Sequence, residues 1–278
     1  MTWGRPERPP HFSAERADAG RREDHLAELG WEIVMPFPMR THAQLALEEV
    51  LLDRLIDGLR GPTLRFWEWA EPSLVLGSHQ VLANEVDLEA ARKQRFKVGR
   101  RMSGGGTMLV EPGRSITYSL YAPESVVRGL SFVESFAALD GWVVECLREL
   151  GAPAAYRPIN DIVSPEGKMG GAAQARRRRF LVHHTVIAHE IDPELVPRLI
   201  RIGRERVSPR GVRSAEKTVS PLSRWLNLGR DQIVEALAAC FLGRYPAHFD
   251  TLSAEELASA HRLAATKYSR REWIDRFP

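Results

Sequence analysis

Arg100-Arg101-Met102-Ser103-Gly104-Gly105-Gly106-Thr107 is the stretch that decides how this chain is read. A pair of arginines precedes a small hydroxyl residue and a run of glycines. Adjacent glycines cost backbone entropy, so a fold keeps them where the backbone needs unusual dihedrals or must come close to a neighbour. Bare glycine N–H groups beside fixed arginines form a cradle for phosphate or carboxylate oxygens. A glycine-rich surface turn with solvated arginines has the same local sequence. The motif is therefore weighed with the rest of the chain.

The length of 278 residues allows one large domain or two modest ones. Hydrophobic residues make up 44% and charged residues 27%, the ordinary globular range. The net charge of +3, from 39 basic and 36 acidic residues, is too small a bias to make nucleic acid the main partner. Cys146 and Cys240 lie far apart in sequence, in no metal-ligand spacing. They predict a reducing compartment with no disulfide framework, and inert thiols on core-facing helix stripes. No apolar run is long enough to span a membrane and no apolar segment follows the N-terminus. The expectation is a cytoplasmic protein with no membrane partner.

Residues 1–30 are rich in Arg, Glu, Asp and Pro with little apolar periodicity, which predicts a disordered tail. Thr41 and Gln44 have capping-box spacing, and Leu45, Leu52, Leu55, Ile56 and Leu59 follow at helical intervals, so 42–59 reads as an amphipathic helix. Residues 64–69 and 73–77 read as strands joined across Glu71-Pro72, and 85–95 as a short helix. Residues 115–120 alternate as a half-buried strand does. Ser131 and Glu134 form a capping box ahead of a helix that ends at Gly151. Strand-like 180–191 and helical patterns at about 193–203, 230–243 and 254–265 complete the chain. Strands and helices intersperse without regular alternation, which favours a mixed α+β domain.

Lys168 sits in Gly167-Lys168-Met169-Gly170-Gly171-Ala172-Ala173-Gln174, with small neighbours that do not shield it. Such a lysine can reach a buried anion as a fixed point charge, or lie in an exposed loop. Asn160-Asp161 offers oxygens that suit Mg²⁺ or an Asx-turn. Of His183 and His184, neighbours on a strand, one can line a pocket while the other faces away, which argues against a zinc pair. Arg176 to Arg179 reads as a solvated hairpin turn, with docking of an acidic partner as the second reading. There is no P-loop and no strand–Gly-x-Gly-x-x-Gly–helix unit.

These segments, in this order, resemble the lipoate–protein ligase A family of the biotin/lipoate ligase superfamily. Leu64-Arg65-Phe66-Trp67 and Pro72-Ser73-Leu74-Val75-Leu76-Gly77-Ser78-His79-Gln80 resemble its early strand pair. The opening stretch resembles its Arg-Arg-x-Ser-Gly-Gly-Gly signature, 160–174 its lysine motif, and Ser214 through Leu222 a later region, more loosely. The resemblance implies an α+β fold with a mixed, mostly antiparallel sheet flanked by helices, similar to class II synthetases. It implies ATP-dependent activation of lipoate to lipoyl-adenylate and transfer to a lysine of a lipoyl carrier domain, of the 2-oxoacid dehydrogenase E2 or glycine-cleavage H-protein type.

By the same resemblance Arg101, Gly106, Thr107, Met108 and Leu109 hold ATP. Lys168 is the catalytic residue, bridging carboxylate and α-phosphate. Ser103, Gly104, Gly105 and Ala172 wall the lipoate. Asn160 and Asp161 lie near phosphate and Mg²⁺, and His183 and Thr185 line the pocket strand. The implied organisation is a tail at 1–30, a catalytic domain at 31–250, and a C-terminal helix and tail at 251–278. The accessory domain of longer ligases is missing, so a small separate partner subunit is expected for adenylation. A lipoyl or octanoyl transferase of the same fold is the nearest rival. It needs a cysteine nucleophile, and no cysteine lies between Tyr156 and Gln174. A non-catalytic carrier-binding module is the other alternative.

Overall fold

The computed structural model describes residues 25–277. Its strands are β1 (Trp31–Val34), β2 (Pro38–Met39), β3 (Thr63–Trp69), β4 (Ser73–Leu76), β5 (Lys97–Arg100), β6 (Met108–Val110), β7 (Ser115–Pro123), β8 (Ala155–Arg157), β9 (Asp161–Ser164), β10 (Gly167–Arg177), β11 (Phe180–Ala188) and β12 (Ala247–Asp250). Its α-helices are α1 (Thr41–Ile56), α2 (Leu82–Glu85), α3 (Leu88–Lys93), α4 (Phe132–Glu149), α5 (Leu195–Leu199), α6 (Arg230–Arg244), α7 (Ala254–Leu263) and α8 (Arg271–Ile274).

The main sheet runs β12-β1-β3-β7-β11-β10-β9-β8, with β2 beside β3, and a small sheet runs β5-β4-β6. β1 is parallel to both its neighbours, and every pair from β3 to β8 is antiparallel. This is the mixed, mostly antiparallel α+β architecture expected from the sequence.

Period-2 alternation sorts the central strands between two cores. Leu64 and Phe66 of β3, with Tyr118 and Leu120 of β7, face Leu139, Trp142 and Val143 of α4 and Leu237 and Phe241 of α6. Trp67 and Trp69, with Tyr121 and Val182, face Leu45, Leu51, Leu52 and Leu55 of α1. Each of these large side chains contributes about 1.5–3 kcal/mol by leaving water.

The start of α4 follows the sequence signal: Glu134 N donates to Ser131 Oγ at 3.2 Å and Ser131 N to Glu134 Oε2 at 2.9 Å. The expected Thr41–Gln44 box does not form. Thr41 N and Oγ1 instead donate to Glu71 Oε1 at 3.1 and 3.0 Å, so the β3–β4 turn satisfies the first turn of α1. The helix expected at 85–95 is split in two, because Asp87 breaks out to cap α3 through Ala90 N at 3.0 Å. The pattern at 193–203 yields only five residues of helix, in α5.

Other expectations are corrected. Residues 1–24 of the expected tail lie outside the described residues. Order begins before residue 31: Leu26 is buried and its carbonyl accepts from Trp31 Nε1 at 2.9 Å. The C-terminal residues are also part of the packed body, with Ala260, Ala264 and Tyr268 buried against α1. Cys146 and Cys240 are joined in a disulfide between α4 and α6, 94 residues apart in sequence. The expectation of two inert free thiols therefore gives way. Helix packing brings Cα atoms within 6.2 Å, which spacing along the chain does not reveal. Among the described residues no helix is long and apolar enough to cross a membrane.

Candidate functional site

The opening stretch links β5 to β6 and passes close to the β4 exit. Gly105 adopts φ +90°, a left-handed conformation that favours glycine. Its carbonyl lies where a Cβ on Gly77 would be, at 2.1 Å, so both positions must be bare. Arg101 is buried and shapes the turn from inside. Its Nε donates to Ser103 Oγ at 3.0 Å, Nη1 to Val75 O at 3.0 Å, and Nη2 to Gly106 O at 2.9 Å and to Gly104 O. Burial lowers its pKa to about 10, with Glu48 opposing and Arg100 adding to the shift. Arg100 faces elsewhere, donating to Gly77 O at 2.8 Å, Gln80 O at 2.7 Å and Ile274 O at 2.9 and 2.7 Å.

A cavity of about 520 Å³ opens between this turn and strands β9, β10 and β11. Arg101, Gly105, Gly106, Thr107, Met108, Leu109, Asn160, Asp161, Lys168 and Ala172 all line it, so these residues from separate motifs converge on one space. Ser103, Gly104, His183 and Thr185 are not part of that lining.

Lys168 reaches the cavity because β10 carries an irregularity. The β9–β10 register shifts between Lys168 and Gly170, and such a bulge re-aims a side chain. Lys168 Nζ then lies 2.8 Å from Asp161 Oδ1. A Cβ on Gly171 would come within 2.5 Å of that nitrogen, so the glycine makes room for the lysine. Lys217, from the segment after α5, pairs with Asp161 Oδ2. Burial alone would raise the Asp161 carboxyl, but hydrogen bonds and charge from the two lysines outweigh it and hold its pKa below the usual aspartate value. Both Asp161 oxygens are thus occupied by ammonium groups. Asn160 Nδ2 donates to Ala172 O at 2.5 Å and turns its amide towards β10. This arrangement does not fit a protein-held Mg²⁺, which calls for carboxylate oxygens free to bind it.

The histidine assignment is corrected. On β11 the cavity-facing residues are His184, Val186 and Ala188. His183 and Thr185 point to the other face, where His183 Nε2 and Thr185 Oγ1 each lie 2.7 Å from the buried Asp140 Oδ1, joined by Tyr118 OH at 2.5 Å. Alternation along the strand predicts that only one histidine faces the cavity, but not which. His184 is held between Ser103 Oγ at 2.8 Å and Glu48 Oε1 at 2.7 Å, so Ser103 fixes the wall from behind and does not line it.

Sequence reasoning missed two contributors. Ser214 Oγ accepts from Thr107 N at 2.9 Å and donates to Glu85 Oε2 at 2.5 Å, strapping residues 203–217 across the glycine turn. Lys217 is the other, and nothing local marks it beyond its place in the loosely matched 214–222 region. Met169, Val186, Ile200, Val212 and Val219 give the cavity an apolar wall, with Glu111, Glu190 and Arg213 also in the lining.

The fold and this cavity define a class: an α+β domain that places a lysine, a carboxylate and a glycine-rich turn beside an apolar wall. The chain belongs to the lipoyl protein ligase A/B catalytic domain family, whose model matches residues 40–242. Octanoyltransferase LipM of Kyrpidia tusciae is 30% identical over 257 residues, covering 82% of this chain and 92% of that protein. Lipoate-protein ligase A subunit 1 of Thermoplasma acidophilum is 25% identical over 253 residues, covering 87% and 94%. The same fold is seen in a putative lipoate protein ligase of T. acidophilum with bound lipoic acid, at TM-score 0.73 and 24% identity, covering 89% of this chain and all of that one. A lipoate-protein ligase A bound with ATP superposes with TM-score 0.73 and 23% identity, covering 89% and 99%.

Proposed function

We propose that this chain is a lipoate–protein ligase that activates a medium-chain acid such as lipoate with ATP and passes the acyl group to a lysine of a lipoyl carrier domain. The observation that carries this reading is the Lys168–Asp161 pair at a cavity that no cysteine lines. A carboxylate and a nucleotide phosphate repel one another, so joining them needs a fixed cation between them. Lys168 supplies that charge as an electrostatic bridge to carboxylate and α-phosphate oxygens. Arg101 keeps the turn in shape, and the edge of β6 from Gly106 to Leu109 borders the nucleotide. The apolar wall takes the acyl chain. Asp161 positions the lysines, and Mg²⁺ arrives on the ATP phosphates, with no step assigned to a metal on the protein.

A ligase bound with ATP and another with lipoic acid share this fold, and a bipartite T. acidophilum ligase is described with its E2 lipoyl domain. They support nucleotide, acid, carrier and small-subunit partners here by likeness. The names of the LipM relatives favour a second reading, octanoyl transfer between carriers. The thioester route for such transfer requires a thiolate, and both cysteines are tied in a disulfide outside the cavity lining.

ATP–pyrophosphate exchange dependent on lipoate or octanoate tests the proposal, run with and without a candidate small subunit. Exchange that is lost in Lys168→Ala is the expected result. Absence of exchange in both settings, with transfer from an octanoylated carrier, would replace the ligase reading by the transferase one.

A further inference from the structure

We infer that Lys217 is a second anion-binding residue of the cavity, which shares Asp161 with Lys168 and grips the charged oxygens of the activated acyl group from the opposite side. The inference rests on the adenylate reading above and extends it to a residue that the signature motifs do not contain.

The first support is charge. Two lysines meet one buried carboxylate, and Asp161 is only 2% exposed. The other carboxylates lining the cavity, Glu111 and Glu190, share Arg114 at 3.8 and 3.9 Å, and Arg101 and Arg213 add two further cations to the lining. The lysine–aspartate unit is thus left with one positive charge in excess, close to an apolar wall. A partly desolvated site strengthens such a charge, and an incoming anion is its natural complement.

The second support is backbone placement. Lys217 is itself exposed on an exposed segment, yet the residues after it are zipped to the strand that bears Lys168. Lys168 N donates to Thr218 O at 2.8 Å and Ser220 N donates to Lys168 O at 2.8 Å. Gly167, at φ +151°, would place a Cβ 2.5 Å from Thr218 O, so the absence of a side chain there lets the segment lie flush. Main-chain bonds therefore fix the two lysine backbones beside one another, and Asp161 draws both ammonium groups together. Asp161 holds both while no anion is present. An anionic oxygen placed between the lysines takes over one bond from each.

The test uses the full chain and an acyl-adenylate mimic, octanoyl-sulfamoyl-adenosine, titrated by calorimetry. Lys217→Met should weaken binding by about tenfold or more, as expected for a lost hydrogen bond to a charged group. Lys217→Arg should restore affinity to within about threefold, because it restores the charge. Lys217→Gln, read beside them with circular dichroism, separates loss of charge from loss of fold. If wild type binds the mimic and Lys217→Met and Lys217→Gln bind it within about twofold of wild type, the role assigned to Lys217 is wrong while the ligase reading stands. If wild type itself does not bind, both fall together.

Discussion

Lys168 Nζ lies 2.8 Å from Asp161 Oδ1, over the bare face of Gly171. Gly171→Ala would bring a Cβ to 2.5 Å from the lysine nitrogen and 2.8 Å from its Cε. The far end of a flexible side chain can move aside, so the fold should survive. The expected result is a small change in melting temperature with a fall of roughly 100-fold in acid-dependent exchange, the scale of a misplaced catalytic group. Exchange at a near wild-type rate would show that the position of Lys168 does not matter.

Gly77→Ala is a different kind of clash. Its Cβ would meet the Gly105 carbonyl oxygen at 2.1 Å and carbon at 3.0 Å, both backbone atoms of the glycine turn. Neither can rotate away. Urea unfolding should report a loss of about 1–3 kcal/mol, the usual scale for overpacking. An unchanged midpoint would mean that the β4 exit and the turn are less tightly fitted than these distances show.

Asp140 gathers three buried groups, His183, Thr185 and Tyr118, behind the sheet. Asp140→Ala leaves all three without their acceptor. It should cost about 3–5 kcal/mol, read from the denaturant midpoint. A cost below about 1 kcal/mol would argue that water replaces the carboxylate.

Acid should weaken the fold through carboxyls that are held ionised. Asp161 and Glu48 both have pKa values below the ordinary carboxylate range, because hydrogen bonds and charge from Lys168 and Lys217, and from His184 respectively, outweigh burial. A depressed folded-state pKa contributes stability that is full above the unfolded value of about 4 and lost as pH falls through the folded value. In thermal melts, Asp161→Asn should flatten the decline below pH about 4 relative to wild type. An identical acid limb in the variant would remove Asp161 as a source of that slope.

Much of this was legible in the sequence, and for identifiable reasons. The capping box at Ser131 rests on a contact only three residues apart, so the order of residues carries it. The Arg100–Thr107 and Gly167–Gln174 motifs mark the cavity because bare backbone and an unshielded lysine leave a compositional trace. Lys217 leaves none: it is brought to Asp161 by the main-chain pairing of Thr218 and Ser220 with Lys168, distant in sequence. The choice between His183 and His184 depends on strand register, which a one-residue shift inverts. The Cys146–Cys240 bond depends on how α4 packs on α6, and helix faces read singly do not give it.

That disulfide is itself testable. Opening it with reductant, or replacing both cysteines by serine, should lower stability by about 2–4 kcal/mol. Acid-dependent exchange by the folded protein should persist. Loss of acyl transfer in a variant that remains folded would instead favour a thiol nucleophile.

Arg100 gives the signature turn a reach beyond the cavity. Its guanidinium holds the Ile274 carbonyl on one side and the Gly77–Gln80 loop on the other, while its own carbonyl accepts from Trp273 Nε1 at 2.9 Å. The final helix is thereby latched to the stretch that frames the cavity floor. α8 and the Gly77–Gln80 loop thus hang on one buried guanidinium, so removing the Arg100 side chain deprives both of their shared donor at once.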